Sequence, residues 1–151
     1  MFANPLIPNL ADFTQFAYDQ GVPQADLATT SPYLAWAYNY GLNVTITAPG
    51  DMPPIIYIMA VYNLAFHQLL KVAQDVTGQT FFATQRKAFN LLSFVTGPVS
   101  SSGDEGTNQS LVVPKWMETM TISANDCIRT PWGLSYLDYS MCYGSTVWGC
   151  S

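Results

Sequence analysis

Few side chains in this sequence have the type and spacing that chemistry requires. His67 is the only histidine, and no Cys, Asp or Glu stands near it at ligand spacing. A single imidazole does not make a metal site, so it reads as a core or interface histidine. Ser100, Ser101 and Ser102, in "GPVSSSGDEG", offer hydroxyls beside Asp104 and Glu105. A hydroxyl becomes a nucleophile only with a base, so His67 and an Asp would have to meet these serines in space. The same stretch lacks the Lys of a phosphate loop, and the chain has no G-x-S-x-G and no C-x-x-C. Cys127, Cys142 and Cys150 are odd in number and crowded toward one end. That is no disulfide framework, and points to folding in a reducing compartment. The expectation is a protein without catalysis, metal or cofactor, with a small enzyme as the weaker alternative.

What the chain has in abundance is neutral contact surface. Of 151 residues 49% are hydrophobic, but only 10% are Asp, Glu, Lys or Arg, where about 25% is usual. Asn, Gln, Ser and Thr, with nine Tyr and four Trp, take their place. An amide or a Tyr that finds a partner costs less to bury than a charge, so this composition suits a surface covered by neighbours in an assembly. A net charge of -5, with five scattered basic residues, argues against a protein that grips phosphates. It does not prevent an acidic protein from sitting beside DNA.

The elements that would position these residues follow from periodicity. The length suits one domain, residues 1–151. Its start, "MFANPLIPNLADF", lacks the basic and long apolar segments of a signal peptide. "LADFTQFAYD" (10–19) reads as a first helix, closed near Gly21. Ser31 and Pro32 open a second, in which Tyr33, Trp36, Ala37 and Tyr40 recur at helical spacing. Residues 52–70 hold no Asp, Glu, Lys or Arg and approach the roughly 20 apolar residues of a membrane span. Pro53, Pro54, Asn63, His67 and Gln68 interrupt them, however. Ile55, Met59, Tyr62, Phe66, Leu69, Ala73 and Val76 make one face, with Asn63, His67, Lys71 and Gln74 as a polar stripe. An amphipathic core helix fits better than a span, and no membrane partner is expected.

A fourth helix follows in "FFATQRKAFNLLSF" (81–94), with Phe82, Phe89 and Leu92 on one side. Residues 96–114 lose the helical period and read as an extended arm or loose hairpin, with Asp104 and Glu105 at its tip and 111–113 as a possible strand. "PKWMETM" offers a helical turn, and Ser123 begins a short helix. Pro131 then starts a last helix. The expected fold is mainly α: a small helical bundle with an arm or hairpin between the fourth helix and the C-terminal helices.

That last helix carries apolar side chains on two faces. At about 100° per residue, Trp132, Tyr136, Tyr139 and Tyr143 fall together, opposite Leu134, Leu137 and Met141. The aliphatic stripe is expected to join the bundle, leaving the aromatic stripe for a partner or for the chain's own core. Beyond it, residues 144–151 carry Trp148. Four aromatics in the second helix, Tyr33, Trp36, Tyr38 and Tyr40, exceed what one face can bury, and are expected to contribute subunit contacts.

The order of these features resembles the head-tail connector (portal adaptor) proteins of tailed phages. "FTQFA", "GVPQADL", the long central helix, "GPVSS" (97–101) and "TPWGLSYL" (130–137) followed by "YG" carry the resemblance, over residues 10–144. The "ATTSP" and "SSSGDEGTNQS" segments do not align with it. It implies a structural virion protein in the neck, made in the host cytoplasm, that forms a homo-oligomeric ring, a dodecamer. The ring would join the portal to the next neck or tail protein, and packaged DNA would pass through it without specific binding. Trp132, Tyr136, Tyr139, Tyr143 and Trp148 become candidates for portal docking, the last in a docking tail, 144–151. Asp104 and Glu105 become candidates to face the DNA channel or the next ring. A tail-completion or head-closure protein of the neck is the alternative.

Overall fold

The computed structural model of the chain describes residues 3–45, 52–93, 101–104, 107–110 and 122–143. Its architecture is mainly helical. The elements are α1 (Leu10–Asp19), α2 (Pro32–Val44), α3 (Pro54–Val72), α4 (Phe81–Ala88), β1 (Ser101–Asp104), β2 (Thr107–Ser110), α5 (Ile122–Cys127) and α6 (Pro131–Tyr143). The helical periods placed α1, α2 and α6 within a residue or two of these bounds and α3 at its start, because each has a local start signal; the stripe read on to Val76 overruns the end of α3 at Val72. Asn9 caps α1 by accepting the Asp12 N–H on its side-chain oxygen, and its side-chain amide donates to the Asp12 carboxylate. Pro32 and Pro131 open α2 and α6, and Pro54 opens α3. At that position a missing N–H costs nothing.

α3 is the axis. It is long and apolar enough to cross a membrane, but here the other helices wrap it. From Ile58 to Leu70 every residue is buried except Met59 and Gln68, which are partly so. The polar stripe expected along α3 is therefore wrong in its middle: Asn63 and His67 are buried, because α5 and α6 cover that side. α2 packs on another side through Gly41, where an added Cβ would stand 2.6 Å from the Val61 carbonyl oxygen. Only a glycine lets the two backbones approach so closely. α1 contributes Phe13 and Phe16, whose rings lie 5.8 Å from Tyr62. The Tyr62 hydroxyl in turn donates to the Asn9 carbonyl and accepts the Asn9 N–H, pinning the start of α1 to the axis.

The junction of α3 and α4 is closed by two charged residues. Asp75 accepts N–H groups of Phe82 and Ala83 at the first turn of α4, while Arg86 donates to the Leu70 and Ala73 carbonyls at the end of α3. Each satisfies backbone groups that a helix end leaves unpaired. α4 is shorter than the expected 81–94: Asn90 takes φ 53, a left-handed conformation, and the Leu91 N–H closes onto the Arg86 carbonyl. Leu92, expected on the inner face, is consequently 79% exposed. In the arm, β1 and β2 pair antiparallel, from Ser101 opposite Ser110 to Asp104 opposite Thr107. The possible strand at 111–113 and the helical turn of "PKWMETM" lie outside the described residues.

Candidate functional site

His67 is not idle. Its Nδ1 lies 2.7 Å from Thr130 Oγ1, and its Nε2 lies 3.2 Å from Asp126 Oδ2. Lys71, one turn further along α3, reaches the same carboxylate oxygen at 2.5 Å. Asp126 is held well below the usual carboxylate range, first by the hydrogen bond from His67 and then by Lys71, against the opposing effect of burial. An ionised carboxylate only accepts, so Nε2 carries the proton that faces it, and Thr130 can give its hydroxyl proton to Nδ1.

Hydroxyl, imidazole and carboxylate are the group types of a nucleophilic triad, with Thr130 in place of the serines at 100–102. The geometry serves another purpose. Thr130 is 1% exposed, and its oxygen accepts the Gly133 N–H as the N-cap of α6. A hydroxyl with both roles taken and no open path is a structural group. The network clips α5 and the start of α6 onto α3. Of its members, Thr130 was legible as a cap before Pro131, but Asp126 carries no local signal, standing 59 residues from His67.

The orientation of α6 corrects the expected one. Tyr136 is 4% exposed and Leu137 8%, whereas Leu134 is 50% and Met141 80% exposed. Of the aliphatic stripe only Leu137 joins the bundle; Leu134 and Met141 face solvent. Two contacts set this rotation. Gly133 packs so tightly on α5 that an added Cβ would lie 2.0 Å from the Cys127 carbonyl oxygen, so the small-residue face of Gly133 and Ser140 turns inward with Tyr136 and Leu137. The Trp132 ring meets Phe66 and Phe89 edge-on, at 4.6 and 5.9 Å, and its Nε1 donates to Gln20.

Of the residues assigned to portal docking, the fold thus withdraws Tyr136 and buries much of Trp132. Tyr143 is 40% exposed. Trp132 and Tyr139 are brought together at the rim of a cavity of about 240 Å³, with Phe16, Met59, Gln20 and Asn63. Trp148 and Glu105 lie outside the described residues. Asp104 ends β1, paired with Thr107.

α2 presents the clearest outward surface. Trp36 is 52%, Tyr40 37% and Val44 42% exposed. With the partly buried Tyr33 they step by three, four and four, one stripe along a helix that contains no charged residue. Tyr38 points the other way, its ring 6.1 Å from Phe13. Its expected place among subunit contacts is corrected on that ground: the side chain packs against the core.

No family model, curated protein or solved structure matches the chain. The functional reading therefore rests on these surfaces and on the resemblance of the sequence motifs.

Proposed function

We propose that this chain is the ring-forming head-tail connector of a tailed phage, a structural virion protein that joins the portal to the next neck or tail protein and lines the DNA channel. The observation that carries the proposal is the uncharged, outward stripe of Trp36, Tyr40 and Val44 on α2, with Tyr33 partly buried at its start. Such a stripe costs little to desolvate and supplies aromatic anchors, the features of an interface core. Basic groups are few: of the five, Lys87 is exposed and Lys115 lies outside the described residues. Lys71, Arg86 and Arg129 are engaged inside the subunit, with Asp126, with Asp75 and the end of α3, and with the Asn90 and Ser93 carbonyls. A lumen short of free cations lets phosphates move on. Portal contact is assigned to the rim of Trp132 and Tyr139, to Tyr143 and to residues 144–151; the arm with Asp104 and Glu105 is assigned to the channel or the adjoining ring.

Native mass spectrometry of the purified chain, alone and with portal protein, tests this reading. Rings of one stoichiometry, a dodecamer, that bind portal are expected. A monomer that ignores portal but binds tail components would assign it instead as a tail-completion or head-closure protein.

A further inference from the structure

The segment "GVPQADL" has no part in the surfaces above, yet it holds the most unusual carboxyl in the fold. Gly21 takes φ 98, which turns the chain out of α1, and Val22 and Leu27 plug the core on either side of Asp26. Asp26 is itself 2% exposed. Its Oδ1 accepts the Val76 N–H at 2.8 Å. Its Oδ2 is buried and makes no close hydrogen bond among the described residues. What does face Asp26 is the side chain of Asp75, whose neighbour in the chain, Val76, gives its N–H to Asp26 Oδ1. Two ionised carboxylates side by side in a buried site repel each other, which favours keeping a proton on one of them.

The surroundings decide which. Asp75 already accepts two N–H groups at the start of α4, and Arg86 Nη2 stands 3.9 Å from its Oδ2. All three favour the anion there. Asp26 has one N–H from Val76, a weaker approach by the Phe81 backbone and no cation. The charged groups facing the pair are thus Asp75 and Arg86, both from the α3–α4 side; Tyr18, from α1, is spent on the Leu27 carbonyl.

We propose that Asp26 keeps its proton in the folded chain and donates it through Oδ2 to Asp75, forming a proton-dependent clasp between the α1–α2 connection and the start of α4. The acid form satisfies the orphaned oxygen and leaves a single shared negative charge, which Arg86 and the helix N-terminus neutralise. Loss of the proton to solvent base leaves two adjacent anions in a buried site. The clasp then opens, and Val76 loses its acceptor. Burial and the neighbouring anion both push Asp26 above the ordinary carboxylate range, in agreement with this arrangement.

Carboxyl carbon NMR across a pH titration of the full chain reads the proton directly. Asp26 is expected to remain protonated above the pH at which the same carboxyl titrates in the urea-unfolded chain; titration at the unfolded-chain pH overturns the proposal. Thermal melts of Asp26→Asn read the clasp. The amide can still donate to Asp75 and accept from Val76, so its melting temperature should vary less with pH, with the wild type falling about 4 °C relative to it as pH rises through the titration of Asp26. Parallel curves would overturn the clasp even if the proton is found. Should Asp26→Asn fail to fold, the wild-type exchange rate of the Val76 amide, corrected for its intrinsic pH dependence, decides. A rise of about tenfold on ionisation of Asp26 supports the clasp, and no rise overturns it.

Discussion

The side chain that most repays scrutiny is Asp126. It answers His67 and Lys71 from α3, and its low proton affinity in the fold ties stability to pH. The unfolded chain takes up this proton near the ordinary value of 3.8; the folded chain resists it. The stabilisation is therefore complete above that value and is lost as pH falls through the lower, folded one. Asp126→Asn is expected to cost about 1–3 kcal/mol at pH 7, measured by urea unfolding. The difference from wild type should persist at pH 5 and narrow below pH 4. Asp12 acts in the same direction, held low first by the Asn4 N–H, with help from the Ala3 N–H and the Asn9 amide. Asp26 acts in the opposite one: a raised group stabilises below the ordinary value and loses its contribution as pH rises through the folded one. Falling pH should therefore loosen the α3–α5 clip, and rising pH the clasp between the α1–α2 connection and α4. Cys127, buried with its thiol pushed up to about 11, should stay unreactive to alkylating reagents in the native state while the exposed Cys142 is labelled.

At the scale of elements, α6 shows how one glycine sets a rotation. Gly133→Ala would place a methyl against the Cys127 carbonyl with no flexible atom to yield. A loss of at least about 1–3 kcal/mol is expected, read as a fall in melting temperature. Leu134→Ser and Met141→Ser, on the exposed side, should each change stability by no more than about 0.5 kcal/mol. Under the sequence-based orientation, with the aliphatic stripe inside, that ranking would be reversed, so the three variants together check the helix's rotation.

For the whole molecule, the decisive prediction concerns assembly. Trp36→Glu puts a charge in the middle of the outward stripe on α2 and removes nothing from the core. It should leave the helical circular-dichroism signal and the melting temperature of the subunit near wild type, and abolish rings in native mass spectrometry. Rings that persist at the same protein concentration would remove α2 from the interface. Tyr38→Glu is no substitute, because its ring rests near Phe13 and its loss would damage the subunit itself.

Much of this protein was legible from its sequence alone. Helix starts at Asn9, Pro32, Pro54 and Pro131 are written locally, since caps and prolines act within one turn, and apolar spacing made a mainly helical bundle the natural expectation. Tertiary structure alone decided which way each helix faces. Periodicity defines stripes, but on α6 two stripes were apolar, and the close approach at Gly133 with the seating of Trp132 between Phe66 and Phe89 chose a third direction. The pairings of His67 with Asp126 and of Asp26 with Asp75 were equally hidden. Their members are far apart in the chain, and whether such groups are ionised, capped or clasped depends on which polar atoms the folded backbone brings within hydrogen-bonding distance.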